Sequence, residues 1–208
     1  MRQPDIFGAN ETLTKLLSQD FLVKSAITTM RITGGNARGR SIASPQGPGV
    51  RPTGAKVRQA VFNILGARTN GARFLDICAG TGLIGLEALS RGAKSLIAVE
   101  ENRQMVKAIQ ASLKKLGYEA EVIAGDLRQV LPVLEGQQFD IIFADPPYGS
   151  PLTNSILTSV DKYSLLAEAG VFIIEHARNQ ALPDETERLL KSDVRHYGQT
   201  SLTFFVRR

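Results

Sequence analysis

Cysteine is nearly absent from this chain: Cys78 is the only one among 208 residues. A single thiol excludes any internal disulfide, and with it the cross-linked scaffolds of small secreted domains. Tryptophan is missing, and the two histidines, His176 and His196, lack metal-ligand spacing, so no metal is expected. No apolar run approaches the roughly 18 residues that a membrane helix needs. The opening MRQPDIFGANETLTKLLSQD lacks the charged start, apolar stretch and cleavage site of a secretory signal. A cytoplasmic protein without a membrane partner is expected.

Acidic residues are missing from one long stretch. Between Phe21 and Leu75 there is no Asp or Glu, while Lys24, Arg31, Arg38, Arg40, Arg51, Lys56, Arg58, Arg68 and Arg73 all fall there. The net charge of +5 is therefore concentrated towards the N-terminus. A solvated basic surface would account for it, but the length and sign favour a polyanion such as nucleic acid.

Residues 1–29 have poor periodicity, with a weak helix at Glu11 to Ser18, and read as a loosely ordered or lightly docked appendage. MRITGGNARGRSIASP then reads as a hairpin turning at Gly34, Gly35 and Asn36. A Gly/Pro-rich loop leads into a helix from Ala55 to Leu65, its stripe formed by Val57, Ala60, Val61, Ile64 and Leu65.

From Arg73 the pattern alternates. Strands are expected at FLDIC, SLIAVE, EVIAG, FDIIFA and VFIIEH. Helices are expected at LIGLEALSRG, Asn102 to Leu116, Leu127 to Leu134 and Thr153 to Leu166. DVRHYG and SLTFFVRR leave no room for a helix between them and form a terminal antiparallel hairpin. The result is an α/β fold with a mixed seven-stranded sheet and helices on both faces.

Two loops carry chemistry. LDICAGTGLIGLEAL contains Gly80, Gly82 and Gly85 as G-x-G-x-x-G between a strand and a helix, and Glu100 ends the next strand. That context suits an adenosine-containing ligand whose ribose hydroxyls meet an acid. Asp76, inside the first strand, and Asp126, ending EVIAGD, are further acids at the same sheet edge. Acids there disfavour a phosphate and favour a cation; Asp126 could equally cap a helix. S-adenosylmethionine, with an ammonium and a sulfonium, fits this set. Cys78 is expected to be a core residue rather than a nucleophile.

The second loop is DPPY, Asp145 to Tyr148, directly after FDIIFA. An ionised Asp145 and the Pro146 carbonyl are both acceptor-only groups, and the prolines fix the backbone that spaces them. Together they could hold both hydrogens of an exocyclic amine, while Tyr148 offers a face for an unstacked base.

LDICAGTG, VE100 and DPPY resemble the class I S-adenosylmethionine-dependent methyltransferases, with DPPY as their amino-methyltransferase tetrapeptide. More closely, RITGGNARGRSIASP, GPGVRPTGAKVRQAVFNIL, FLDICAGTGLIGLEALSRGA, FADPPY and YGQTSLTFF are similar to the bacterial 16S rRNA (guanine-N2)-methyltransferase family, RsmD. The resemblance spans Met30 to the C-terminus. It implies a single methyltransferase domain over 30–208 with a basic hairpin at 30–54, and a start near Met30 that would make residues 1–29 an extension or an over-called start.

It further implies a Rossmann-like class I fold with S-adenosylmethionine held by Asp76, Gly80, Thr81, Gly82, Glu100, Asp126 and Leu127. Asp145, Pro146, Pro147 and Tyr148 would surround a flipped guanine of 16S rRNA. Arg31, Arg38, Arg40, Arg51 and Arg58 would grip RNA, and Arg51, Pro52 and Thr53 would fold near the cofactor. The partner would be 16S rRNA, the small subunit or an assembly intermediate, met by a monomer. Alternatives left open are an adenine-N6 methyltransferase on RNA or DNA and a non-catalytic ribosome-assembly factor. An NAD-dependent oxidoreductase is disfavoured by Asp76 and DPPY.

Overall fold

The structure, a computed structural model, describes residues 27–45 and 54–208. The expected helix at 11–18 and residues 51–53, Arg51 among them, lie outside that range.

The N-terminal hairpin pairs β1 (Ile27–Arg31) with β2 (Ser41–Pro45), antiparallel, in the register Met30↔Ile42. Its first strand begins before Met30, since Ile27 to Thr29 pair with Ala43 to Pro45. Helix α1 (Ala55–Leu65) follows, with a 3-10 turn at Gly66–Thr69. The alternating part comprises β3 (Arg73–Ile77), α2 (Leu83–Ser90), β4 (Ser95–Glu100), α3 (Arg103–Leu116), β5 (Glu121–Ala124), α4 (Leu127–Val133), β6 (Phe139–Ala144), α5 (Leu152–Lys162) and β7 (Leu166–Ala177). The chain closes with the hairpin of β8 (Leu189–Tyr197) and β9 (Thr200–Arg207).

The main sheet has the order β5-β4-β3-β6-β7-β9-β8. Strands β3 to β7 are parallel, and β9 runs antiparallel to both β7 and β8. This is the mixed seven-stranded α/β architecture expected from the alternating pattern. Strand order reverses between β3 and β6, and the crevice at the carboxyl ends of such strands is where open α/β sheets bind ligands. Among the described residues no helix is long and apolar enough to cross a membrane.

Period-two burial divides the core between two faces. Phe74, Ile141, Phe143, Ile173, Leu202 and Phe204 face α1, α2, α3 and the hairpin, whose Ile32, Ala37 and Ile42 join that core. Leu75, Ile77, Ile142, Ile174 and Phe205 face α4 and α5.

Two helices differ from their expected outlines. In α1 the buried stripe is Val57, Arg58, Val61, Phe62 and Leu65, while Ile64 is exposed. Helix α5 ends at Lys162 rather than Leu166: Ser164 takes a positive φ of 50°, and Leu166 opens β7. Leu165 and Leu166 satisfy a helical stripe and a buried strand equally well, so periodicity places them on the wrong side of that break.

Candidate active site at the carboxyl edge of the sheet

Each expected acid is delivered by a strand end. Asp76 lies in β3, on the sheet face carrying Phe74, and is 2% exposed. Its Oδ2 accepts the Gly85 N–H at 2.9 Å, which leaves no room for a larger residue there. A Cβ on Gly85 would come within 2.8 Å of Leu96 and 3.1 Å of Asp76 Oδ2. The third glycine of the motif therefore sets how closely α2 packs on the sheet. Gly82, with φ 72°, packs against Ile109 in the same way; its Cβ would stand 2.7 Å from that side chain. Gly80 takes φ 53° and donates its N–H to Glu100 Oε2 at 2.7 Å. Glu100 Oε1 accepts the Asn102 N–H at 2.8 Å, so this acid ties the β3 loop to the start of α3.

These groups open onto one cleft of about 1150 Å³. Its walls include Asp76, Gly80, Thr81, Glu100, Asp126 and Leu127 on one side. On the other are Asp145, Pro146, Pro147 and Tyr148. Of the expected cofactor residues only Gly82 stays out of the wall, where its role is packing. Asp126 does cap a helix: its side chain accepts the Arg128 N–H at the start of α4. The hydrogen bonds from the Arg128 side chain and backbone hold its carboxyl down at about 2.

Acids outnumber bases in the cleft wall, with Asp76, Glu100, Glu101, Asp126, Asp145 and Glu175 against Lys56 and Arg128. Burial pushes the Asp76 carboxyl up to about 8, opposed by the Gly85 N–H and reinforced by Asp145 and Glu100. Burial likewise pushes the Cys78 thiol up to about 12, and Glu100, Asp145 and Asp76 add to the shift. Cys78 also carries a positive φ of 59°, a strained conformation at the entrance to the glycine loop. Such a thiol stays protonated at neutral pH and is no nucleophile. A pocket in which Glu100 and Asp145 add to the upward shifts of Asp76 and Cys78 suits a cation and repels a phosphate, which is the fit that an ammonium and a sulfonium require.

At the second loop, β6 stops at Ala144 and the Asp145 N–H donates to Ile77 O at 3.3 Å. The Tyr148 ring is partly exposed, and its hydroxyl is anchored. It hydrogen-bonds Thr200 Oγ1 and donates to Glu175 Oε1 at 3.3 Å. Glu175, Tyr197 and Thr200 all line the cleft, and sequence reasoning missed them. They come from β7, β8 and β9, and nothing local in VFIIEH or YGQT marks a wall residue. Gly54, Lys56 and Val57 of the α1 entry also line it, immediately after the undescribed 51–53. The histidines lie elsewhere: His176 bonds Thr203 and His196 bonds Ser201.

The basic segment divides in two. Arg31 and Arg38 are exposed on the hairpin. Arg58 is 4% exposed, with its Nε donating to Glu87 Oε2 at 3.0 Å and its Nη2 to Arg31 O at 3.1 Å. Its expected role as a phosphate contact is corrected: the fully buried Glu87 requires a cationic partner, and Arg58 is spent on it. Arg40 is exposed, but donates to the C-terminal carbonyls of Lys115 and Leu116, docking the hairpin on α3.

Known proteins resemble this chain in sequence and in fold. The sequence model of the family described as "Conserved hypothetical protein 95" matches residues 30–206. The ribosomal RNA small subunit methyltransferase D of Escherichia coli is 33% identical over 155 residues, 74% of this chain and 78% of its own. The chain belongs to the RsmD family of class I S-adenosylmethionine-dependent methyltransferases. YlbH of Bacillus subtilis is 34% identical over 183 residues, covering 86% of this chain and 100% of its own. The Escherichia coli protein yhhF has the same fold, at TM-score 0.76 and 28% identity, covering 87% of this chain and 99% of that one. The T. thermophilus 16S rRNA N2 G1207 methyltransferase RsmC, solved with AdoMet and guanosine, has TM-score 0.69 over 88% of this chain and 50% of its own. At 19% identity that likeness concerns the fold alone.

Proposed function

We propose that this RsmD-family protein methylates the exocyclic N2 amine of one guanine in small-subunit ribosomal RNA. The observation that carries the reading is the meeting of two acceptor groups and a cation-favouring pocket in one cleft. Asp145 and the Pro146 backbone follow β6, Asp76 and Glu100 close β3 and β4, and all open into the same space.

S-adenosylmethionine, when bound, supplies an electrophilic methyl carbon on a sulfonium. The residues of this chain do the rest. Asp76 and Glu100, beside Gly80 and Thr81, fit its ammonium and ribose. An exocyclic amine on guanine is a poor nucleophile because its lone pair is delocalised into the ring. Asp145 and the Pro146 carbonyl, accepting one amine hydrogen each, turn the lone pair out of the ring plane and towards the methyl. When bound, the donor would give its methyl to that nitrogen and leave as the neutral thioether, while Asp145 or water would take one amine proton. Positioning of this kind can contribute about 7–11 kcal/mol. The anchored Tyr148 ring offers a fixed face for a base taken out of its stack. Arg31 and Arg38, exposed on the hairpin, are placed to meet phosphates.

The test is to incubate the protein with labelled S-adenosylmethionine and, separately, small ribosomal subunits, naked rRNA and duplex DNA, then identify the labelled nucleoside. N2-methylguanosine from rRNA or subunits is expected. N6-methyladenosine would replace the guanine assignment by the adenine one, and absence of label from every substrate would favour a non-catalytic assembly factor.

A further inference from the structure

Glu175 lies outside the residues expected to bind the methyl donor or present the amine, yet it is 4% exposed in the wall of the cleft. It stands near the carboxyl end of β7, on the face that carries Ile173, and pairs across to Leu202 on that same face. The register Ala144↔Ile174 puts Asp145 and Glu175 side by side, one residue further along adjacent parallel strands. The Tyr148 hydroxyl joins them, since Tyr148 belongs to the Asp145 loop and donates to Glu175 Oε1.

The acceptor end of the cleft thus has an acidic group on β7 beside the one that follows β6, over an anchored aromatic ring. Among RNA bases, guanine alone presents three N–H hydrogens on one edge: N1–H and both hydrogens of the N2 amine. Asp145 and the Pro146 carbonyl account for the two on the amine. The next hydrogen along that edge is N1–H, and the next acceptor along the sheet is Glu175. Adenine offers the opposite, an unprotonated N1 that would face a carboxylate lone pair to lone pair.

We infer that Glu175 is the residue that selects guanine, by accepting its N1–H while Asp145 holds the amine. The inference rests on the guanine reading above and adds the group that enforces it. A site built to bond a substrate N–H discriminates strongly against an analogue that lacks it, because its own polar group is left unsatisfied. Glu175 is then a specificity residue in addition to an anchor for Tyr148.

The experiment uses 2-aminopurine, which keeps the exocyclic 2-amine and has an unprotonated N1. Once the methylated guanine is mapped, small subunits are reconstituted with guanine or 2-aminopurine at that position, and single-turnover methylation is measured. The intact protein is expected to prefer guanine by roughly 10- to 150-fold. Glu175→Gln, which keeps an acceptor for the Tyr148 hydroxyl and can donate to an unprotonated N1, is expected to erase that preference, with guanine slowed and 2-aminopurine unchanged or faster. Tyr148→Phe removes the anchoring bond and is expected to slow both substrates alike. Equal rates for the two bases with the intact protein would overturn the inference without any variant. Glu175→Gln slowing both equally, as Tyr148→Phe does, would reduce Glu175 to an anchor and also overturn it. If the intact protein methylates no guanine at all, it is the underlying guanine reading that fails.

Discussion

The carboxyl edge of the sheet and the N-terminal hairpin both rest on α2, and they use charge in opposite ways. At the edge, acids are collected where burial, reinforced by the charges of Asp145 and Glu100, pushes Asp76 up to about 8, a cost that a cationic ligand relieves. At the hairpin, charge is neutralised internally. Glu87 of α2, fully buried, receives the Thr33 N–H at 3.1 Å, the Arg58 Nε at 3.0 Å and the Arg91 Nη2 at 2.7 Å. Ser90 adds bonds to Gly34 and Ala37. One region keeps its electrostatics unbalanced for a ligand; the other balances its own so that an arm is held rigid.

That contrast predicts different failures. The largest effect on folding is expected from Arg58→Ala, which leaves the Glu87 carboxylate buried with one fewer partner and costs about 3–5 kcal/mol. Urea unfolding measures this, and the paired replacement Arg58→Met with Glu87→Gln should recover most of the loss. A stable Arg58→Ala protein with weakened RNA binding would instead make Arg58 a phosphate contact.

Gly35→Ala comes next. Gly35 has φ 77°, and a Cβ there would lie 1.8 Å from the Ser90 carbonyl oxygen. The hairpin must shift, at about 1–3 kcal/mol. RNA affinity should fall while affinity for S-adenosylmethionine, measured by calorimetry, stays the same. A matching loss of both would mean that the two regions are not separable.

Asp76→Asn should act in two directions. With its carboxyl up at about 8 in the folded protein and near 4 when unfolded, Asp76 makes folding less favourable as pH rises from about 4 to about 8. The asparagine variant loses that slope and should melt higher at pH 7. Its affinity for the methyl donor should fall about tenfold or more. In the unaltered protein, donor binding below pH 8 should release a proton, so affinity rises with pH to a plateau. A pH-independent affinity would remove Asp76 from the ammonium site.

The smallest effect is expected from Arg38→Ala, on the exposed side of the hairpin. Stability should change by less than about 0.5 kcal/mol. The salt dependence of RNA binding should lose about one unit of slope.

The two regions also differ in how far the sequence exposes them. Gly80, Gly82, Glu100 and Asp145 could be placed from sequence because each sits where an apolar strand ends, and strand ends show in period and composition. The glycine loop further required a tight turn and close packing, which few residues permit. Arg58 and Glu87 gave no such sign, since a charged residue on a helix reads as solvated until its partner is known. Their partnership spans 29 residues. Glu175 and Thr200 were invisible for the same reason: they reach Tyr148 from strands 27 and 52 residues away. Gly34 and Gly35 read as turn residues, whereas what they permit is contact with Arg91 and Ser90.

The central claim, that the carboxyl edge performs the transfer while the hairpin holds the RNA, is tested most directly on Asp145→Asn. Single-turnover methylation should be measured at saturating S-adenosylmethionine and saturating small subunits, with binding of both followed in parallel. The account predicts a rate lower by about 10²–10³-fold with both affinities within about twofold of the unaltered protein. A rate that persists at saturation, or a loss explained by weaker RNA binding, would contradict it.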